Sequence, residues 1–176
     1  MAARPVLRMG HPKLRDQSRI LTREEILSPQ TATLLQDLQD TMELEGGIGI
    51  AAPQIGENLQ VTIIELPENS QRYGTLNSSA KFTIFNPVIE VIDETHQGFW
   101  EGCLSVPGLR GFVERPRKVR ISYLDEKAQQ KIIEPEGFLA TVFQHELDHL
   151  FGVLYIDRIK DPTKLSFNEE FDEFHT

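Results

Sequence analysis

The sequence predicts an α+β fold with antiparallel β-sheets, and three observations carry that reading. Runs rich in β-branched residues cluster in the middle of the chain, helical periodicity flanks them on both sides, and no strand alternates with a helix as a βαβ unit requires. Thr22-Arg23-Glu24-Glu25 fits a capping box, and Ser28-Pro29 offers a second helix start with proline at the first helical position. Leu27, Thr31, Leu34, Leu35, Leu38 and Met42 then recur at helical spacing, predicting an amphipathic N-terminal helix to about Glu43 that Gly46-Gly47 stops. Val61–Glu65, Phe82–Phe85, Val88–Ile92, Val119–Leu124 and Gln130–Glu134 read as strands, with Asp125–Gln129 as a hairpin connection. Pro67–Ala80 is polar and rich in turn residues, so a surface loop is expected there. A second helix is expected over Phe138–Phe151, ending at Gly152, and Leu165, Phe167, Phe171 and Phe174 suit a short docked C-terminal helix. No repeat, low-complexity tract or linker divides the chain, so residues 1–176 are read as a single catalytic domain.

Composition removes several classes of function. The 176 residues carry 18 Lys+Arg against 27 Asp+Glu, a net charge of −9, which argues against binding DNA, because neutralising phosphates takes clustered cations. No stretch approaches the ~18 consecutive apolar residues of a membrane span. The opening MAARPVLRMGHPK lacks the apolar core of a secretory signal, and the single cysteine, Cys103, excludes a disulfide within the chain. A cytoplasmic acidic protein is the expectation, bacterial rather than organellar because no Arg/Ser-rich leader is present.

Three constellations carry chemistry. In Gln144-His145-Glu146-Leu147-Asp148-His149 the two histidines stand at i and i+4, so on a helix they leave one face and reach one metal ion. Glu146, about 100° round, can sit beside a water on that metal. Phe138 and Val142 fall on the same stripe, which makes an enclosed face more consistent than a solvated one. The fold expected is therefore one of antiparallel sheets packed around this central metal-binding helix. A catalytic site takes three protein ligands, and the third is open at this point: Asp157, Glu169, Glu170 and His175 lie downstream, while Cys103 lies upstream in Glu101-Gly102-Cys103-Leu104-Ser105. The third constellation, Gly47-Ile48-Gly49-Ile50-Ala51-Ala52-Pro53-Gln54, superficially matches a dinucleotide fingerprint. A helix precedes it and Pro53 closes it, so that match fails. Its glycines instead let a backbone approach a ligand closely, with Gln54 as a polar tip.

Taken together, GIGIAAPQ, EGCLS and HELDH, in this order and spacing, resemble the three signature motifs of peptide deformylases. The N-terminal Val6–Pro12 and the run Phe99–Arg110 look like that family too. The resemblance implies an enzyme that removes the N-formyl group from the initiator methionine of new polypeptides and releases formate. It implies Cys103, His145 and His149 as ligands of one divalent metal ion, iron(II) physiologically, with Zn(II), Ni(II) or Co(II) possible. A thiolate and two imidazoles suit those ions and disfavour Mg or Ca. It further implies Glu146 as general base, the Gln54 amide and the Leu104 N–H as oxyanion donors, and Gly49 as the place where substrate backbone pairs. Ile48, Phe138, Val142 and the methylenes of Arg110 are expected to line a methionine pocket. Glu101 and Asp148 are open between structural ion pairs and orientation of a ligand histidine. An HExxH endopeptidase and a noncatalytic metal scaffold are the competing readings; a ligand downstream of His149 would favour the first, and the presence of Glu146 opposes the second. The expected partners are formyl-methionyl N-termini met by a monomer. Ribosome contact through the tail is disfavoured, since Asp161, Glu169, Glu170, Asp172 and Glu173 face one base, Lys164.

Overall fold

The computed structural model describes residues 3–66 and 80–175. After a 3-10 turn at Pro12–Arg15 come a one-turn helix and a long one. The capping box forms as expected: the Thr22 hydroxyl accepts from Glu25 N–H and the Glu25 carboxylate accepts from Thr22 N–H, starting α1 (Arg23–Ile26). Ser28 caps α2 (Pro29–Glu45), which Gly46 ends in the left-handed conformation at φ 66°. Leu27 does not join the apolar stripe of α2. It is the exposed link between the two helices, because the second cap restarts the turn one residue later.

Six strands follow, all antiparallel: β1 (Gly49–Ala51), β2 (Val61–Leu66), β3 (Ala80–Cys103), β4 (Val106–Leu124), β5 (Gln130–Ile133) and, after α3 (Phe138–His149), β6 (Leu165–Phe167). The sheet runs β1-β2-β3-β4-β5, with β6 paired to β4. Phe82–Phe85 and Val88–Ile92, read as two strands, are one strand interrupted by a bulge at Asn86-Pro87. Asn86 sits at φ 49°, and its side chain brackets Leu21, accepting from the N–H and donating to the carbonyl. The long outer halves of β3 and β4 carry no clean apolar alternation in sequence, since β3 is mostly exposed there and the buried face of β4 is filled by Gly111, Val113 and Arg115, and they were not among the expected strands. Asp125–Gln129 connects β4 to β5 as expected, its Asp125 carboxylate accepting from the Lys127 and Gln129 N–H groups. All of the loop expected over 67–80 except Ala80 lies outside the described residues. The tail departs from a simple helix: Leu165–Phe167 extends β4 as β6, and only Asn168–Phe174 is helical (α4). Of its apolar residues Phe171 docks, while Leu165, Phe167 and Phe174 stay exposed.

Helices cover both faces of the sheet. Ile63 packs into a core with Leu34, Leu38 and Met42 of α2, whereas Ile64, its neighbour, packs with Phe143 and Leu147 of α3. Successive strand residues point to opposite faces, so β2 is buried on both sides and α3 is held against one of them. That fixes the position of the histidine-bearing helix.

Candidate active site

Four pieces of chain meet at one end of α3. The first is the exit from α2: the turn at Gly46-Gly47 feeds directly into β1, which pairs only with β2 and is thus a sheet edge. Here Gly49 is a packing requirement, because a Cβ on it would stand 2.5–2.7 Å from the Oε1, Cδ and Cγ atoms of Glu146. Gly49→Ala is expected to fold normally but displace the carboxylate, lowering turnover by on the order of 10-fold or more. Circular dichroism alongside the rate checks this, and an alanine variant with full activity would contradict the close approach.

The second piece is the 3-10 turn Ala52–Ile55. Gln54 Oε1 accepts from the Ala51 N–H at 2.8 Å, which turns Nε2 toward Cys103 Sγ (3.7 Å) and Ser105 Oγ (3.2 Å). The third is the hairpin end where β3 stops at Cys103 and β4 resumes at Val106, with Leu104-Ser105 as the turn. A strap from the N-terminus ties the second and third together: the Leu7 N–H donates to the Gln54 carbonyl and the Met9 N–H to the Ser105 carbonyl, both at 2.7 Å.

The fourth piece, α3, is buried from Ala140 through Leu147 and again at His149. Cys103 Sγ lies 3.3 Å from His149 Nε2, and one ligand atom from each of Cys103, His145 and His149 falls within 4.8 Å of the other two. Glu101 Oε2 stands 2.7 Å from His145 Nδ1. Burial alone would raise the Glu101 carboxyl, but hydrogen bonds from His145 and Arg115 overcome it and hold the group down to about 2. An ionised Glu101 accepts only, so His145 carries its proton on Nδ1 and turns Nε2 to the cluster. Burial also opposes a Cys103 thiolate, yet the adjacent His149 and His145 outweigh it and hold the thiol well below its usual range. For Glu146 burial prevails and pushes the carboxyl up; its Oε2 is buried with no hydrogen-bond partner among the described residues.

The donor set fits a divalent transition ion, a thiolate and two imidazoles converging beside an orphaned carboxylate oxygen. Among the described residues this is the one His/Cys/Asp/Glu group compact enough to hold a metal. The downstream candidates lie elsewhere: Asp157 is ion-paired with Arg15, His175 packs on Trp100 at 4.8 Å, and Glu169 and Glu170 are exposed on α4. A cavity of about 570 Å³ opens over the cluster, and Ile48, Gly49, Gln54, Cys103, Leu104, Arg110, Phe138, Val142, His145 and Glu146 all line it. His149 is fully buried and does not.

A family model described as polypeptide deformylase matches residues 3–165. The chain belongs to the peptide deformylase family. A peptide deformylase of Leptospira biflexa is 41% identical over 172 residues, covering 98% of this chain and 96% of the relative. Peptide deformylase 1 of Bordetella pertussis is 43% identical over 164 residues, covering 93% and 92%. Among solved structures, a class I type b peptide deformylase from Acinetobacter baumannii with Met-Ala-Ser bound superimposes with a TM-score of 0.81 at 33% identity, over 90% of this chain and 99% of that one. As a peptide deformylase the protein is a hydrolase that uses a single divalent metal ion and removes the N-formyl group from newly made polypeptides. No helix among the described residues is long and apolar enough to cross a membrane.

Three features of this deformylase site escaped the sequence reading. Arg115, 2% exposed, donates through Nε and Nη2 to both oxygens of Glu101 and through Nη1 to Asp148, which Arg158 also holds. Asp148 thereby reaches His145 only through Arg115 and Glu101. Two acids near a metal helix without an evident cation were the one signal available. Ser105, the backing for the Gln54 amide, was signalled only by its place in the EGCLS motif, and Asn168, on the cavity wall from the far tail, had no signal.

Proposed function

We propose that Cys103, His145 and His149 hold the divalent ion, iron(II) in the cell and zinc, nickel or cobalt as substitutes, and that Glu146 is the general base of deformylation. The observation that carries this is the partnerless Glu146 carboxylate oxygen beside the Cys/His/His cluster. An ion bound there supplies Lewis-acid activation of the attacking water. Glu146 takes the proton that the water gives up and returns it to the amine as the C–N bond of the formamide breaks, leaving formate and a free N-terminus. The raised position of its carboxyl suits both halves of that transfer. Negative charge developing on the formyl oxygen meets Gln54 Nε2, already oriented by its bond to Ala51, and the Leu104 N–H at the hairpin turn. Substrate backbone adds to the free edge of β1 at Gly49, which gives affinity without demanding a sequence. The methionine side chain enters between Ile48, Phe138, Val142 and the stem of Arg110. Met-Ala-Ser, bound in the Acinetobacter relative, carries the free methionine amine that deformylation leaves.

All these residues come from one chain, so a monomer suffices, acting in the bacterial cytosol. The acidic tail disfavours ribosomal RNA as its anchor. The test is formate release from formyl-Met-Ala-Ser against hydrolysis of acetyl-Met-Ala-Ser. The acyl carbon sits among polar groups that must align, so the added methyl should cost on the order of 10²-fold in kcat/KM. Equal rates would refute this arrangement of donors.

A further inference from the structure

The family match ends at residue 165, yet the chain continues across the mouth of the site. β6 pairs with Leu109, Arg110 and Gly111, at the end of the stretch of β4 where its register with β3 shifts opposite Gly102. That pairing delivers Asn168 to the cavity wall, where its side-chain amide makes no hydrogen bond to any described residue. Three residues on, Phe171 lies half-buried between two other wall residues: its ring is 5.1 Å from Trp100, and the Arg110 guanidinium stands 5.2 Å over it. His175 packs against both Trp100, at 4.8 Å, and Phe171, at 6.3 Å. The tail is thus built into the wall of the cleft. The tail supplies neither a ligand of the metal cluster nor Glu146, and it meets the methionine pocket only at Arg110.

We propose that Leu165–His175 is the outer wall of the peptide cleft and that Asn168 presents its amide to the backbone of the residues following formylmethionine. A carboxamide both donates and accepts, as a peptide group does, so it recognises extended backbone irrespective of side chain. Phe171 acts through Arg110 and Trp100, fixing the two wall residues it touches, and is a positioning residue. The inference rests on the deformylase reading and adds a length-sensing contact to it. The ligand class is peptide: an N-formylmethionyl chain of at least three residues.

The experiment compares kcat/KM for formyl-Met-amide with that for formyl-Met-Ala-Ser-amide in the metal-loaded full-length protein, in Asn168→Ala, in Phe171→Ala and in a chain ending at Lys164. The unaltered protein is expected to favour the longer peptide. Asn168→Ala should reduce that preference about fivefold, the scale of one neutral hydrogen bond, chiefly through KM. The truncation should abolish the preference, and Phe171→Ala should fall between. Each variant's preference is a ratio within one preparation, so unequal metal loading cancels. An unchanged ratio, or an equal loss on both peptides, overturns the inference while leaving the deformylase assignment intact. Failure of the unaltered protein to release formate from either peptide would instead count against the assignment itself.

Discussion

Glu146→Gln is expected to bind its metal normally and lose at least ~10²-fold in turnover, the usual scale for removing a general base. Glutamine preserves the shape that packs against Gly49, so β1 and α3 need not move. It cannot accept a proton, and the water is left without a base within reach. The measurement is metal content by elemental analysis beside formate release under identical loading. A variant with full metal and near-full activity would assign the proton transfer to another group. Loss of metal along with activity would show that Glu146 supports the cluster rather than the chemistry.

Arg115→Met should be the most destabilising single change in the site, by roughly 3–5 kcal/mol, because it leaves the buried Glu101 carboxylate without its cation. Glu101 would be stranded beside His145, its oxygens served only by the imidazole, and Asp148 would rely on Arg158 at the surface. Arg115→Lys keeps the charge but cannot span Glu101 and Asp148 with a planar fork, so an intermediate loss is expected. Denaturant midpoints on metal-free protein measure this without contribution from the ion. If the methionine variant were as stable as the unaltered chain, the network would not be a structural requirement.

How much was legible in the sequence depended on range. His145, Glu146 and His149 were readable because helical spacing alone brings them to one place. The caps of α1 and α2 were readable for the same reason, since Thr22, Glu25 and Ser28 act within one turn. The third member, Cys103, was ambiguous from the residues themselves; only the resemblance of three motifs singled it out. The outer halves of β3 and β4 were missed because β3 is mostly exposed there, while the buried face of β4 holds Gly111 and Arg115 beside Val113, so burial alternates where apolar character does not. Arg115 was invisible because its meaning lies in Glu101 and Asp148, which a hairpin and a helix bring to it. Leu165–Phe167 went wrong by the same logic: the aromatic spacing suits a helix, but β4 offers unpaired backbone at Leu109–Gly111, and a ladder forms instead.

The N-terminal strap has a consequence in time. The amides of Leu7 and Met9 are made before the carbonyls they satisfy, which belong to Gln54 and Ser105, the latter synthesised long afterwards. Until then those two amides have only water, and neither the Gln54 turn nor the Leu104 turn is braced from behind. Contacts this distant in sequence form late, after the loops between them have closed. The strap is therefore complete only once the Cys103 motif has been made, well after the Gln54 motif. A clip within Leu7–Met9 would disturb the oxyanion donors from a distance.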